Sequence, residues 1–166
     1  MAPLPFDPIA EASRQWSVRG WEKAAPGMAA VTSVMRAEQI LLARVDEVLR
    51  PFGLTFARYE ALTLLWFSQH GSLPLSKVGQ RLQVHPTSVT NTIDRLEAQG
   101  LAQRVPHPTD RRTTLAEITP KGRALAAEAT AALNEAAFTE TGLSERELGE
   151  LFRLLRKLRR EAGDFE

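Results

Sequence analysis

His70, His85 and His107 are the only imidazoles in this 166-residue chain, and cysteine is absent. No two of these histidines stand at a metal-ligand spacing, no Gly-rich loop could cradle a phosphate, and no acid–His–nucleophile set clusters. We therefore expect no enzyme, no metal and no cofactor. The side chains that remain suit hydrogen bonding and charge. Thr87, Ser88, Thr90, Asn91 and Arg95 fall in one short stretch, and Arg111 and Arg112 adjoin in the turn-rich loop 106–112. Hydroxyls bond phosphates or base edges, and an asparagine can pair bidentately with adenine. Thr87 and Ser88 could equally satisfy amides of a first helical turn. A guanidinium at a loop tip suits a narrow minor groove, with Arg112 the better candidate. This is the chemistry of double-stranded DNA recognition.

The elements that must position these groups run from Leu75 to Thr119. Leu75, Val78 and Leu82 stand at helical spacing, which predicts a short amphipathic helix over 75–82. Gln83-Val84-His85 is a tight connection. A longer helix is expected over 86–99, with Pro86 at its first position and Val89, Ile93 and Leu96 as its buried stripe. Gly100 suits a left-handed C-terminal cap. Residues 101–105 and 113–119 read as two strands of a hairpin around the basic loop. Two helices joined by so short a turn, followed by a hairpin, predict a winged helix-turn-helix, with the second helix as the groove reader.

The run resembles the MarR family of bacterial transcriptional regulators. The matching residues are Val89-Thr90, Asp94-Arg95-Leu96-Glu97, Gly100-Leu101, Arg104, Asp110-Arg111-Arg112 and Leu115 through Ile118-Thr119-Pro120-Lys121-Gly122. The close match covers about residues 55 to 125. The resemblance implies that Asp110 braces Arg112 through a charge-assisted bond, ordering the wing before binding. It implies a homodimer whose N- and C-terminal helices interdigitate, presenting two reading helices to a palindromic operator. Family members often carry Arg at the position of Asn91 and an aliphatic residue at that of Thr92, so base preference stays open.

Net charge is only +1, but its distribution is uneven. Residues 77–123 hold eight cations against four acids, and the remainder holds thirteen against sixteen. A basic module on an acidic scaffold fits a phosphate-binding surface. The length suits a single domain over 1–166. Within it we expect an N-terminal arm and dimerisation helices over 1–50, the winged helix-turn-helix over 55–119 and C-terminal dimerisation helices over 120–162. The fold class expected is mainly α with a small β-hairpin wing. No apolar run approaches membrane-spanning length and the N-terminus lacks the pattern of a signal peptide, so a cytoplasmic protein without a membrane partner is expected.

The flanks follow from turn and cap residues. After a Pro-rich arm, a helix is expected over 9–24 behind an Asp7 cap, broken by Pro26-Gly27, and then a long helix over 28–49. Another follows Thr55 and runs to about residue 69, with a very short strand near 71–74. Thr119-Pro120 opens a helix expected to reach Thr139, and Ser144 with Glu147 forms a capping box for the last helix. Trp16 and Trp21 near the N-terminus, with Tyr59, Glu60 and Arg104, are similar to the urate-responsive branch of the family. That branch has a second Arg where this chain has Thr92, so a smaller aromatic anion is the ligand implied. The same tryptophans would serve equally to anchor the arm. As a whole the residues indicate a sequence-specific regulator, a repressor by occlusion. The alternative is an architectural DNA binder of low specificity.

Overall fold

A computed structural model of the chain describes residues 3–110 and 112–166. The chain divides into two units, Met1–Ala57 and Arg58–Glu166.

In the first unit, α1 spans Pro8–Val18 and α2 spans Ala25–Leu49. The Asp7 carboxylate accepts from the Ile9 and Ala10 amides, and Pro8 needs no partner at the first position. The helical break is not where the sequence pointed. It falls at Gly20, whose φ is 81°. Pro26 lies instead in the first turn of α2. A proline there sacrifices no intrahelical bond, so Pro26-Gly27 opens a helix rather than ending one. Between the helices the Trp16 and Trp21 rings meet edge to face, with centroids 5.4 Å apart. A 3₁₀ turn, Arg50–Phe52, closes α2, and the left-handed Gly53 redirects the chain. Ala25, Val45, Leu49 and Leu54 are buried. Val31, Met35, Ile40 and Leu41 along α2 are exposed.

The second unit holds most of α3 (Phe56–Phe67), then β1 (Ser72–Pro74), α4 (Leu75–Leu82), α5 (Pro86–Ala98), β2 (Ala102–Pro106), β3 (Thr114–Ile118), α6 (Pro120–Leu133) and α7 (Glu145–Glu161). The three strands form an antiparallel sheet in the order β1-β3-β2. Leu73 pairs with Ala116 on one side of β3, and Arg104 pairs with the same Ala116 on the other. Leu62 and Leu65 of α3, Val78 of α4, Ile93 and Leu96 of α5, Ile118 of β3 and Leu133 of α6 supply the buried side chains. The expected stripe on α5 is therefore its buried face.

α6 begins at the Thr119 cap, whose hydroxyl accepts from the Gly122 amide at 3.0 Å. Gly122 is there because nothing larger fits. A Cβ on it would lie 2.0 Å from the Leu101 carbonyl oxygen and 2.9 Å from Ile118 Cγ1. The first turn of α6 thus rests directly on the backbone at the root of β2. The helix expected to reach Thr139 widens after Leu133 into a π-helical turn, Asn134–Phe138. α7 starts at the predicted capping box, with Ser144 and Glu147 bonding each other reciprocally. It buries no residue, and Phe152 and Leu158 are 64% and 55% exposed. Among the described residues no helix is long and apolar enough to cross a membrane.

Candidate nucleic-acid interface

α5 is built to display one face. Val89, Ile93 and Leu96 point inward, while Thr87, Ser88, Thr90, Asn91 and Arg95 are exposed. Its N-cap is His85, whose Nδ1 accepts from the Thr87 amide at 3.3 Å and lies 3.1 Å from the Thr87 hydroxyl. Of the two readings open for the Thr87 and Ser88 hydroxyls, groove contact and first-turn capping, the cap of the Thr87 amide is supplied by the imidazole before the helix. At the other end, Gly100 adopts φ 70° and Lys121 Nζ donates to the Gln99 carbonyl at 2.8 Å. A cation at a helix C-terminus opposes the macrodipole favourably.

Arg104 fastens α5 to the hairpin. Its Nη1 pairs with Asp94 at 2.8 Å and with Glu97, its amide donates to Glu97 Oε1 at 2.7 Å, and its Nη2 donates to the Thr90 carbonyl at 3.3 Å. The resemblance offered Arg104 as one residue of a possible ligand pocket. In the structure its guanidinium meets two carboxylates and a carbonyl from α5. The pairs Asp94–Arg104 and Glu97–Arg104 were not foreseen, because they depend on β2 folding back beside the helix.

The wing tip is organised by His107 and Asp110. His107 Nδ1 accepts from the amides of Thr109 (3.3 Å) and Asp110 (3.2 Å). Asp110 Oδ1 accepts from the Arg112 amide at 3.0 Å, and Oδ2 accepts from the Thr113 hydroxyl at 2.7 Å. The Thr113 hydroxyl first, then the Arg112 amide and nearby His107, hold the Asp110 carboxyl below the usual aspartate range. The bond from Asp110 to Arg112 is thus made at the Arg112 backbone amide. Arg112 is exposed. Arg111, the other wing candidate, lies outside the described residues.

The remaining candidates fall in different units. Trp16 is half-buried and Trp21 is 51% exposed, both in the N-terminal unit. Tyr59 and Glu60 belong to the second. Tyr59 is buried, with its hydroxyl 3.0 Å from that of Thr130. Glu60 is half-buried, and burial pushes its carboxyl up. Among the described residues no group of three or more His, Asp or Glu could hold a metal ion.

A helix-turn-helix packed on a three-stranded sheet, with its second helix fastened to the hairpin by Arg104, defines a winged helix-turn-helix protein. The MarR family model matches residues 54–114. Sco5413, a MarR family transcriptional regulator from Streptomyces coelicolor, has a solved structure 56% identical to this chain. The alignment covers 85% of this chain and 98% of that one, with a TM-score of 0.78. This chain belongs to the MarR family of transcriptional regulators. YhbI of Bacillus subtilis, an uncharacterised HTH-type transcriptional regulator, is 37% identical over 81 residues, 49% of this chain and 51% of that protein. The chain spans about half the length of the curated relatives it matches. CouR from Rhodococcus jostii RHA1, solved with p-coumaroyl-CoA bound, is 25% identical, covers 75% of this chain and 87% of its own, and has a TM-score of 0.67.

Proposed function

We propose that the chain is a sequence-specific double-stranded DNA-binding regulator that represses by occupying a palindromic operator as a homodimer. The observation that carries this reading is the joint presentation of two readers. The polar face of α5 and the braced wing are tied together by Arg104, so they meet DNA as one surface. Thr87, Ser88, Thr90, Asn91 and Arg95 would enter the major groove, and Arg112 with Arg111 the minor groove. The exposed apolar residues of α2 and of α7 supply surface for a second copy. Two copies related by a twofold axis would read half-sites about one helical turn apart.

Selection of bound duplexes from a random pool tests this. An inverted repeat enriched over competitor by about a thousandfold or more supports a specific regulator. Binding that is steeply salt-dependent but shows no enriched motif supports an architectural binder instead.

Release by a small aromatic acid is a second reading, favoured by the Trp16–Trp21 ring pair and by the bound ligand of CouR. A ligand releases DNA only if it favours the DNA-incompetent state. Tryptophan fluorescence of the wild type and Trp16→Phe, titrated with phenolic and purine-like acids beside an operator-release assay, tests it. Quenching without release counts against a regulatory ligand.

A further inference from the structure

The turn between α4 and α5 contains a strained residue. Gln83 caps α4 at φ 52°, ψ 39° and is the only non-glycine with positive φ among the described residues. Left-handed backbone at a helix C-terminus is usually assigned to Gly or Asn, because a larger side chain crowds the carbonyl. Gln83 tolerates it while its amide caps the Gly79 carbonyl. Its side chain lines the cleft between the two helices together with Gly79, Val84 and Thr90. Gln83 Nε2 donates to Oδ1 of Asp164, at the far end of the chain.

Asp164 is itself tied down. Its Oδ2 accepts from Arg159 Nε at 2.5 Å, its amide donates to the Arg159 carbonyl at 3.0 Å, and its side chain is only 17% exposed. Gly163, at φ 78°, turns the chain back after α7. Phe165 then lies under two guanidiniums, those of Arg156 at 5.1 Å and Arg159 at 5.5 Å from its ring centre. The tail thus folds onto the last turns of α7 and reaches the helix-turn-helix from there.

We propose that Gln83 and Asp164 form a strut that positions the helix-turn-helix, so that α7 holds the turn in the shape that presents α5 to DNA. The proposal rests on the DNA-binding reading above. Its logic is preorganisation. A strained turn left without its side-chain anchor samples other shapes, and binding must then supply the ordering free energy. Simple electrostatics points the other way for Asp164. A carboxylate near the helix-turn-helix repels phosphate, so removing it should tighten binding. The strut requires that its removal weaken binding, and the two effects therefore separate cleanly.

The test measures melting temperature and affinity for the selected operator at fixed salt. Gln83→Gly deletes the strut and relieves the left-handed strain. It should melt at or above the wild-type temperature and bind about fivefold more weakly, the equivalent of one lost hydrogen bond. Asp164→Ala should also bind about fivefold more weakly although it removes a negative charge. Gln83→Glu sets two carboxylates against each other and should weaken binding further. Adding Asp164→Asn to that chain reverses donor and acceptor and should recover affinity. Unchanged or tighter binding by Gln83→Gly and Asp164→Ala overturns the strut and leaves the regulator reading intact, as does failure of the paired variant to recover. A wild-type chain that selects no DNA overturns both.

Discussion

Gly122→Ala puts a methyl group where the chain has no room for one. The new Cβ would lie 2.0 Å from the Leu101 carbonyl oxygen, 2.9 Å from the Leu101 carbonyl carbon and 2.9 Å from Ile118 Cγ1. Ordinary overpacking against side chains costs about 1–3 kcal/mol, because side chains can rotate away. Here the nearest atom is backbone and cannot rotate. The same carbonyl also accepts from the Thr119 amide at 3.1 Å and lies 3.2 Å from the Thr119 hydroxyl, so displacing it stretches the cap of α6. One weakened hydrogen bond adds about 1 kcal/mol. The expected loss is about 3–4 kcal/mol, the upper end of overpacking plus that bond. The thermal unfolding midpoint should fall by about 6–16 °C for a chain of this size. The matched control is Gly149→Ala. Gly149 lies inside α7, and nothing stands within 4 Å of the place a methyl group would take, so alanine should stabilise that helix by about 0.5–1 kcal/mol. Urea and thermal melts of both variants decide the matter. A Gly122→Ala chain that unfolds within about two degrees of the wild type would refute the steric reasoning, since a loss of that size cannot hide in so small a shift.

Other outcomes follow from the site. Arg112→Ala should weaken operator binding by about 1–3 kcal/mol, and Asp110→Ala should weaken it too despite removing a negative charge; tighter binding by the Asp110 variant in a fixed-salt titration would sink the bracing role. The lowered Asp110 pKa means that bracing is present above the ordinary aspartate value of 3.8 and is lost as pH falls through the folded-state pKa, so NMR titration of Thr113→Val should show that pKa rising. Glu60 has the opposite sign. Its folded pKa is raised, so its favourable contribution is present below the ordinary value of 4.5 and lost as pH rises through the folded value. Glu60→Gln should therefore melt higher than the wild type at neutral pH, with the gain vanishing below about pH 4; an equal gain at both pH values would count against burial as the cause. Leu151→Asp should yield monomers in sedimentation and abolish operator binding, because the proposed interface would bury an unpaired carboxylate.

The helix-turn-helix was legible because its signals are local. The spacing of Leu75, Val78 and Leu82 fixes α4, Pro86 opens α5, and Gly100 closes it with a positive φ. The Thr119-Pro120 start and the Ser144 capping box could likewise be read from neighbours in the chain. What escaped depends on contacts made at a distance or on competing local rules. Pro26-Gly27 could end one helix or begin the next, and composition alone does not choose. The ion pairs of Arg104 with Asp94 and Glu97 form only once β2 lies beside α5, so no local spacing announced them. The α5 cap is an imidazole, His85, whose Nδ1 accepts from the Thr87 amide, and histidine is not among the residue types usual at that position. The widening at Asn134–Phe138 has no marker residue such as proline, and nothing in its alanine-rich sequence announced it.

The strand order has a consequence for how DNA could be read. β1 ends at Pro74, where α4 begins at Leu75, and β2 begins at Ala102, shortly after α5 ends. Both strands are laced to β3, so the helix pair is gripped at its entrance and at its exit by one sheet, and the wing is the far end of that sheet. In the proposed complex this lacing would hold the two readers at one spacing. In the proposed complex, one extra base pair between the stretch read by α5 and the stretch read by the wing would move the second target by about 3.4 Å along the axis and about a tenth of a turn around it. A flexible tether could absorb that slip. A paired sheet would not, so in the proposed complex spacing within each half-site would become part of the recognised sequence.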